Sequence, residues 1–345
     1  MIIEILLFLL GLVMLVKASD YLVDSAAKIA NLLGVSEFLI GLTLVAIGTS
    51  IPEMATAVFA SAMKANEIVS GNIVGAAIMN MGAVLGLAAM AKSIRTSEDM
   101  LKRDGYIMIL AMVLFFVFAL DLTIARWEAL ILLLFYVAYI LFLFKTEPED
   151  QDGKMQFREF IIYFFKAGYL LTIRDLRSCK KSDECSLDEK QKKRRSVARE
   201  ITVLAVSGVG VVIGAKFFID GALYFADLLN VSGTFIGITL VSIGTTLPEM
   251  TVSITAARKG MGNIAVGNVI GSNVANILLI VGVSGLIFPL SIIGLTITVS
   301  APFMIMLGLI VLLFIKTGWE IKRWEGAMLF LAYLAFMAFL FLNPQ

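Results

Sequence analysis

Two short stretches of the chain place hydroxyl, carboxylate and proline residues in the middle of apolar sequence. They are GTSIPEM at 48–54 and GTTLPEM at 244–250. Their polar oxygen-bearing residues are Thr49, Ser50 and Glu53 in the first stretch and Thr245, Thr246 and Glu249 in the second. Hydroxyl and carboxylate oxygens are hard ligands that suit Ca²⁺ and Na⁺, and neither Cys nor His, the usual soft and borderline ligands of Zn²⁺, stands nearby. The two stretches therefore predict a site for a hard cation.

The Gly and the Pro in each stretch predict a broken helix. Gly weakens a helix, and Pro removes a backbone donor and clashes with the preceding turn. Such a break would free carbonyl groups about one turn before each Pro, near Ala46 to Gly48 and near Ser242 to Gly244. At membrane depth those carbonyls need neighbours, water or a cation. The predicted site thus includes backbone oxygens as well as side chains.

Glu53 and Glu249 give the sharpest indication of function. A carboxylate at the centre of a bilayer costs roughly 2.5 kcal/mol or more on insertion scales and is functional by default. The alternative is an ion pair with Lys17 or Lys216. The two glutamates are 196 residues apart, whereas these lysines are 199 apart and are not equivalent. Two carboxylates brought together repel unless protons or a divalent cation intervene, and their summed charge matches one Ca²⁺.

The composition predicts that these residues lie within a membrane. The chain has 345 residues, of which 59% are hydrophobic and 16% charged. Its continuous apolar runs of roughly 18–25 residues are long enough to cross the hydrocarbon layer as helices. We therefore predict an all-α polytopic membrane protein with ten transmembrane helices. The predicted spans are 2–33, 37–63, 67–91, 104–121, 125–145, 200–229, 233–258, 264–288, 293–315 and 323–342.

Several function classes are disfavoured by the residues present. The chain has no His, which excludes a histidine proton relay. Cys179 and Cys185 are read as reduced thiols in a polar linker, because two Cys without His make a poor metal site. Neither a nucleophile–base pair nor a metal triad is present, so we predict no enzyme and no cofactor. The predicted partners are membrane lipid and the transported ions, with no nucleic acid, and the sequence does not specify an oligomeric state.

The distribution of basic residues predicts the orientation in the membrane. The linker 146–199, with Lys145 at its edge, carries half of the 28 Lys and Arg residues, which places it in the cytoplasm. Both termini are then extracytoplasmic, in a multi-pass protein of the plasma membrane. Within the linker, 156–173 is predicted to be an interfacial helix on the inner leaflet. The basic cluster 190–199 either binds anionic lipid or anchors the topology.

An internal repeat divides the chain into two halves. GLTLVAIGTSIPEM at 41–54 aligns with GITLVSIGTTLPEM at 237–250, 196 residues later, with ten of fourteen positions identical. The halves, 1–145 and 200–345, each hold five predicted spans. Because five is odd, the two halves must insert in opposite directions. Inverted repeats with interrupted segments at matching positions are typical of secondary transporters that bind substrate near the midplane.

A second repeated motif follows in each half. GNIVGAAIMN at 71–80 aligns with GNVIGSNVAN at 267–276. Its small residues permit close helix approach. Asn80 and Asn276, with Ser272, are predicted to line the site, since amide carbonyls are suitable oxygens for Ca²⁺. For Asn72 and Asn268, an interhelical amide contact and an ion-lining role are nearly equal alternatives.

At these residues the chain resembles the sodium/calcium exchanger family of the cation/calcium antiporter superfamily. The matching stretches are 41–86 and 237–282. The resemblance implies electrogenic exchange of Na⁺ for Ca²⁺, with spans 1 and 6 sliding over a rigid core of eight helices. It implies Ca²⁺ ligands at Glu53, Glu249, Thr49 and Thr245, and Na⁺ ligands at Ala46, Ser50, Ser242, Thr246 and Ser272.

Two positions depart from the family pattern. Ala76 stands where the first repeat commonly has Ser, and a methyl group cannot bind Na⁺. Asn276 stands where potassium-dependent relatives typically have Asp, which argues against K⁺ co-transport.

The predicted function is export of Ca²⁺ in exchange for Na⁺ by alternating access. The alternatives are a Ca²⁺/H⁺ exchanger, with glutamates that alternate between Ca²⁺ and protons, and more distantly a cation channel.

Overall fold

The computed structural model of the protein describes residues 2–33, 35–62, 66–96, 98, 100–146, 157–166, 187–228 and 233–342. Cys179 and Cys185, and most of the linker 146–199, lie outside the described residues. Within the described part, the chain is almost entirely helical, with four short strands.

Twelve helical segments are described. They are α1 (Ile2–Leu33), α2 (Glu37–Thr49), α3 (Ile51–Ala62), α4 (Asn66–Met79, Asn80–Val84 and Leu85–Ala91 in succession), α5 (Met100–Asp121), α6 (Arg126–Thr146), α7 (Phe157–Phe165), α8 (Leu187–Leu228), α9 (Gly233–Lys259), α10 (Gly262–Ile287), α11 (Thr296–Lys316) and α12 (Arg323–Leu342). Eight of them contain a described stretch long and apolar enough to cross a membrane: α1, α4, α5, α6, α8, α10, α11 and α12. A multi-pass membrane protein is therefore confirmed.

Two predicted features of the chain differ in the structure. The sixth span was predicted to begin at 200, but α8 begins at Leu187, so the basic cluster 190–199 is part of a helix that continues into the apolar stretch. The second predicted break is also absent, because α9 is continuous and contains Pro248. Only the first stretch is interrupted, at Ser50, which separates α2 from α3 with φ −84° and ψ 7°. A helix can retain an internal Pro by giving up one backbone hydrogen bond.

α4 and α10 form the centre of the protein, whereas α1 and α8 lie at its edge. In the apolar stretches of α4 and α10, 83% and 78% of the residues are buried inside the protein, against 19% in α1 and 17% in α8. α1 and α8 pack along each other, and α10 packs against α2, α6 and α9. The functional stretches in α2, α3 and α9 therefore pack against a buried central helix.

Two small antiparallel ribbons join the loops at opposite ends of the two halves. β1 (Ile94–Arg95) pairs with β4 (Glu320–Ile321), and β2 (Thr123–Ile124) pairs with β3 (Leu290–Ser291). Each ribbon thus takes one strand from the first half of the chain and one from the second. The ribbons connect the loop after α4 to the loop before α12, and the loop after α5 to the loop after α10.

Within the stretch 156–173, predicted to be an interfacial helix, residues Phe157–Phe165 form α7, and one face of α7 packs against protein. Phe160 is fully buried, with its ring 5.0 Å from that of Phe135 and 5.4 Å from that of Phe142, both in α6. Tyr106 of α5 contacts Phe157 edge to face, with ring centroids 6.1 Å apart. Residues 167–173 of the predicted helix lie outside the described residues. Aromatic packing therefore fixes α7 against α5 and α6.

The two halves of the chain differ in how closely they pack at one pair of repeat-related glycines. A Cβ atom at Gly271 in α10 would lie 2.3 Å from the Leu42 carbonyl oxygen and 2.7 Å from the Ala46 Cβ in α2. Gly75 in α4 is its repeat counterpart, and no atom of the described residues lies within 4 Å of a Cβ placed there. The α2–α10 contact requires glycine, and the corresponding surface of α4 is open.

We expect Gly271→Ala to destabilise the protein and Gly75→Ala to leave its stability unchanged or slightly raised. The added methyl at 271 meets backbone, and overpacking of this kind costs roughly 1–3 kcal/mol. At 75 the methyl meets no described atom, and Ala is the better helix former. Thermal unfolding of the purified variants in neutral detergent measures both. Equal losses of stability at the two positions would contradict the described packing.

Candidate functional site

The two repeated stretches meet in the interior, where α2, α3, α9 and α10 come together. Glu53 lies in the first turn of α3 and Glu249 lies in the middle of α9, directly after Pro248. Their exposed fractions are 2% and 0%. Pro248 has no N–H to donate to the Gly244 carbonyl, so the α9 backbone offers an additional oxygen acceptor one turn before Glu249. The interior therefore holds two buried carboxylates close to helix irregularities.

A direct hydrogen bond joins the two repeated stretches. The Ser50 hydroxyl donates to Glu249 Oε1 over 3.0 Å, and both residues are buried. Within the described part of the chain, Glu249 Oε2 has no hydrogen-bond partner. Ser50 lies at the interruption between α2 and α3. From this position its hydroxyl group reaches Glu249 in α9. The first stretch thus contributes directly to the environment of the second stretch's carboxylate.

Oxygen atoms are crowded around Thr49. Its Oγ1 lies 3.1 Å from the Val45 carbonyl oxygen, 3.2 Å from the Ala46 carbonyl oxygen and 3.2 Å from Asn268 Oδ1. One hydroxyl proton can satisfy only one of these acceptors at a time. Four oxygens in this small volume make a favourable environment for a hard cation.

Asn268 connects the two helices that carry the site. In addition to the contact with Thr49 of α2, its Nδ2 donates to Ser253 Oγ over 3.0 Å and to the Glu249 backbone carbonyl over 3.4 Å, both in α9. Between the two alternatives for this residue, the interhelical contact is the one observed. Sequence reasoning missed Ser253, although it follows Glu249 by four residues and therefore lies on the same face of α9.

The predicted lining residues of α10 and α4 are all buried, and several of their polar atoms have no described partner. Ser272 Oγ and both amide atoms of Asn276 have no hydrogen-bond partner among the described residues. Asn80 donates from Nδ2 to Asn273 Oδ1 over 3.4 Å, and Asn80 Oδ1 has no partner in the described part. Asn273 was not singled out from the sequence, though it lies in the GNVIGSNVAN motif. Buried amides without partners are costly, which is consistent with a place for ions or water.

The remaining predicted residues are placed as follows. Ala46 is buried and contributes its carbonyl to the cluster around Thr49, and Thr246 is fully buried in α9. The side chains of Ser242 and Thr245 lie outside the side chains that the structure describes. Ala76 is buried at 1% exposure, so its methyl group occupies the position where Ser272 has a hydroxyl in the other repeat.

The alternative in which a lysine neutralises a buried glutamate is not supported. Lys17 and Lys216 are both exposed. Neither forms an ion pair with any residue in the described part of the chain. The lysines instead lie on the outer helices α1 and α8, away from the buried interior. These two lysines therefore do not balance the charge of Glu249.

An ion pair joins the outer helix α1 to α9. Lys259 is the last residue of α9, and its Nζ lies 2.7 Å from Asp24 Oδ1 and 3.5 Å from Asp20 Oδ1 in α1. It also donates to the Asp20 backbone carbonyl over 2.9 Å.

A separate close contact, between Gly271 of α10 and α2, lies in the interior. The described conformation thus combines a tight α2–α10 contact with an open surface at the repeat-related Gly75.

The chain is similar to known proteins along most of its length. A family described as sodium/calcium exchanger protein matches residues 3–145 and 200–342. Sodium/calcium exchanger MaX1 of Methanosarcina acetivorans is 49% identical, with 98% of this chain and 99% of the relative covered. Inner membrane protein YrbG of Escherichia coli is 29% identical, covering 82% and 79%. A solved structure of the sodium-calcium exchanger NCX_Mj, soaked with zero Na⁺ and Ca²⁺, superposes with a TM-score of 0.79 at 31% identity, covering 98% and 99%.

We expect Asn268→Leu to destabilise the protein by about 1–3 kcal/mol, because Ser253 and the Glu249 carbonyl lose a buried donor. The matched control is Asn72→Leu, at the repeat-related position in α4, where Nδ2 has no hydrogen-bond partner among the described residues. There we expect a change of less than about 0.5 kcal/mol. Thermal unfolding of both purified variants provides the measurement. The opposite order of stabilities would show that Asn268 does not hold α2 to α9.

Proposed function

Because the chain belongs to the sodium/calcium exchanger family of membrane antiporters, we propose that it exports Ca²⁺ in exchange for Na⁺ by alternating access at the buried site. The observation that carries this proposal is the hydrogen bond from Ser50 to Glu249, which joins the two repeated stretches around buried carboxylates. One shared site makes the two ions compete, since both need the same oxygens. An empty site keeps its negative charge, and that charge resists movement past an apolar barrier.

We assign the ions to residues of this chain. Ca²⁺ is bound by Glu53, Glu249, Thr49 and Thr245, and Na⁺ by the Ala46 carbonyl, Ser50, Ser242, Thr246 and Ser272, with Asn80 and Asn276 lining the site. The oxygens around Thr49 support this assignment, as do the unpartnered polar atoms of Glu249, Ser272 and Asn276 in the described part. Ala76 offers no oxygen from its side chain, so the first repeat supplies one sodium ligand fewer than the second.

The chain is proposed to cross the membrane ten times as two inverted repeats. The paired strands support this, because adding 196 to β1 gives β3, and adding 197 to β2 gives β4. The shift in residue number that relates the two halves therefore maps the strands of one ribbon onto the strands of the other. Two arginine contacts behave in the same way: Arg126 Nη2 donates to the Ile287 carbonyl over 3.3 Å, and Arg323 Nη2 donates to the Ala91 carbonyl over 3.4 Å.

The proposed orientation places the linker 146–199 in the cytoplasm and both termini outside the plasma membrane. The loops after α4 and before α12, with the helix ends that flank them, carry seven of the fourteen basic residues outside the linker and Lys145, and β1 and β4 join these loops at one end of the protein. The loops joined by β2 and β3 hold only Arg126. This asymmetry supports a cytoplasmic location for the end that holds Lys259, following the positive-inside rule.

Replacing Glu53 or Glu249 with Gln is expected to abolish Ca²⁺ transport, because each variant removes a charge that balances the ion. Proteoliposomes loaded with Ca²⁺ should release it on an imposed Na⁺ gradient in the unmodified protein. Glu159→Gln, on the exposed face of α7, is the control and should transport normally. Normal transport by both site variants would refute the assigned site.

The same vesicles separate the alternative functions. Imposing Na⁺, K⁺ and pH gradients one at a time should give Ca²⁺ release only with Na⁺. Release driven by a pH gradient alone would indicate Ca²⁺/H⁺ exchange, and release independent of any counter-ion would indicate a channel.

The Lys259 ion pair is proposed to stabilise the conformation that is closed at the cytoplasmic end. It joins α1, which moves in the proposed cycle, to α9 of the core. Lys28 lies 3.9 Å from Glu200, but that pair joins α1 to α8, which pack along each other and are proposed to move together. Breaking the first pair should therefore shift the conformational equilibrium, and breaking the second should not.

We expect Lys259→Met to increase deuterium uptake in the half of α1 that contains Asp20 and Asp24, because this closed state loses an ion pair. Partly exposed pairs contribute up to about 1 kcal/mol, so the equilibrium should shift by at most roughly fivefold. Hydrogen–deuterium exchange measured by mass spectrometry reports this locally. Lys28→Met should leave the exchange unchanged, and the exchanged pair Asp24→Lys with Lys259→Asp should restore it. Unchanged exchange in Lys259→Met would contradict the proposed role.

A further inference from the structure

A polar pocket of about 450 Å³ lies at the proposed cytoplasmic end, away from the ion site. It is formed where α4 ends, α10 begins and α12 begins, beside the ribbon of β1 and β4. Its charged lining residues are Lys92, Arg95, Arg323 and Glu320, and Gly260 and Gly262 form part of its wall. The transport proposal assigns no role to this pocket.

The pocket has an excess of positive charge. Three cationic side chains line it against the single carboxylate of Glu320. None of these four side chains forms an ion pair within the described residues. Like charges that share a pocket without a counter-charge repel each other, so an anion bound among them would be stabilised.

Lys92 and Arg323 lie beside backbone of neighbouring segments. Lys92 Nζ lies 2.9 Å from where a Cβ atom of Gly260 would be, and Gly260 has a φ of +81°. A side chain at 260 would therefore meet the ammonium group. Arg323 donates from Nη2 to the carbonyl of Ala91, which places its guanidinium beside the end of α4. Lys92 and Arg323 thus converge on the same pocket from different helices.

The start of α10 adds backbone donors to the same wall. Gly262 lines the pocket and is the first residue of this helix. Met261 and Ile264 donate their N–H groups to the carbonyls of Ala256 and Met261, so the remaining first-turn N–H groups are those of Gly262 and Asn263. The helix dipole also favours an anion at that end. Two cationic side chains with different geometries and a helix N-terminus are a combination that suits a tetrahedral oxyanion.

The internal repeat shows that the fold does not require these charges. At the repeat-related positions, Lys92 corresponds to Phe288 and Arg95 to Ser291, whereas Arg323 corresponds to Arg126. The ribbon and the arginine-to-carbonyl contact are present at both ends. Lys92 and Arg95 are therefore additions at one end only, and the positive-inside rule by itself requires charge in the loop but no convergence on a pocket.

We propose that this pocket binds a phosphate group, carried either by an anionic phospholipid headgroup or by a soluble phosphate. The guanidinium of Arg323 and the ammonium of Lys92 bind the phosphate oxygens, and the N-terminus of α10 adds backbone N–H donors. The pocket lies at the ends of membrane-crossing helices, which is the level of lipid headgroups. None of the residues that line the pocket is an assigned ion ligand, so its occupancy can be measured without any transport assay.

Native mass spectrometry of the full chain in neutral detergent tests the lipid source. With added phosphatidylglycerol, the unmodified protein should retain lipid, and Lys92→Gln with Arg323→Gln should retain less. Each lost cation should weaken binding by roughly fivefold. Arg126→Gln is the matched control, because it removes the same contact to a carbonyl at the opposite end. Lys92→Arg keeps the positive charge, so this variant should retain as much lipid as the unmodified protein.

Thermal unfolding with added sodium phosphate, against sodium chloride of equal ionic strength, tests the soluble source. Stabilisation of the unmodified protein by phosphate, absent in the double variant, would identify a soluble ligand, and an effect of phosphatidylglycerol alone would identify a lipid site. Equal lipid retention by the double variant and Arg126→Gln, together with no specific effect of phosphate, would overturn the proposal. Unfolding without any addition confirms that each variant is folded.

Discussion

Two carboxylates buried in an apolar interior are the constraint on which the rest of this structure depends. Glu53 and Glu249 are almost completely buried, and no lysine of the described chain neutralises Glu249. A charge in such surroundings is tolerated only with compensating ions or hydrogen bonds. The oxygen-rich surroundings of Thr49 and Ser50 raise the need for a cation further. The proposed cation would supply the missing compensation at this place in the interior.

Around that interior, symmetry and asymmetry have different functions. The two ribbons and the two arginine contacts repeat almost atom for atom between the halves, and they form the frame that holds the helices. The packing differs at one pair of repeat-related glycines: Gly271 packs tightly on α2, while no described atom lies within 4 Å of a Cβ placed at Gly75. The two halves therefore share the frame but not the packing at these two glycines.

Sequence patterns predicted some elements well because those elements depend on local chemistry. Long apolar runs bounded by charge predicted most helices to within a few residues, and the amphipathic stretch in the linker predicted α7. Two predictions failed. Pro248 does not break α9, which is continuous through this residue. The other failure has a local cause: α8 begins at Leu187 and not at 200, because the charged residues before 200 are good helix formers.

The sequence alone determined which residues have the chemistry to bind a hard cation, and that there are two equivalent sets of them. Residue type and a fixed spacing of 196 carry that information without any coordinates. Only the tertiary structure decided which of these residues meet: Ser50 with Glu249, Thr49 with Asn268, and Asn80 with Asn273. These partners are about two hundred residues apart in sequence. Helix packing, rather than any local pattern, sets the distances between them, and for that reason Asn273 and Ser253 were recognised only in the folded protein.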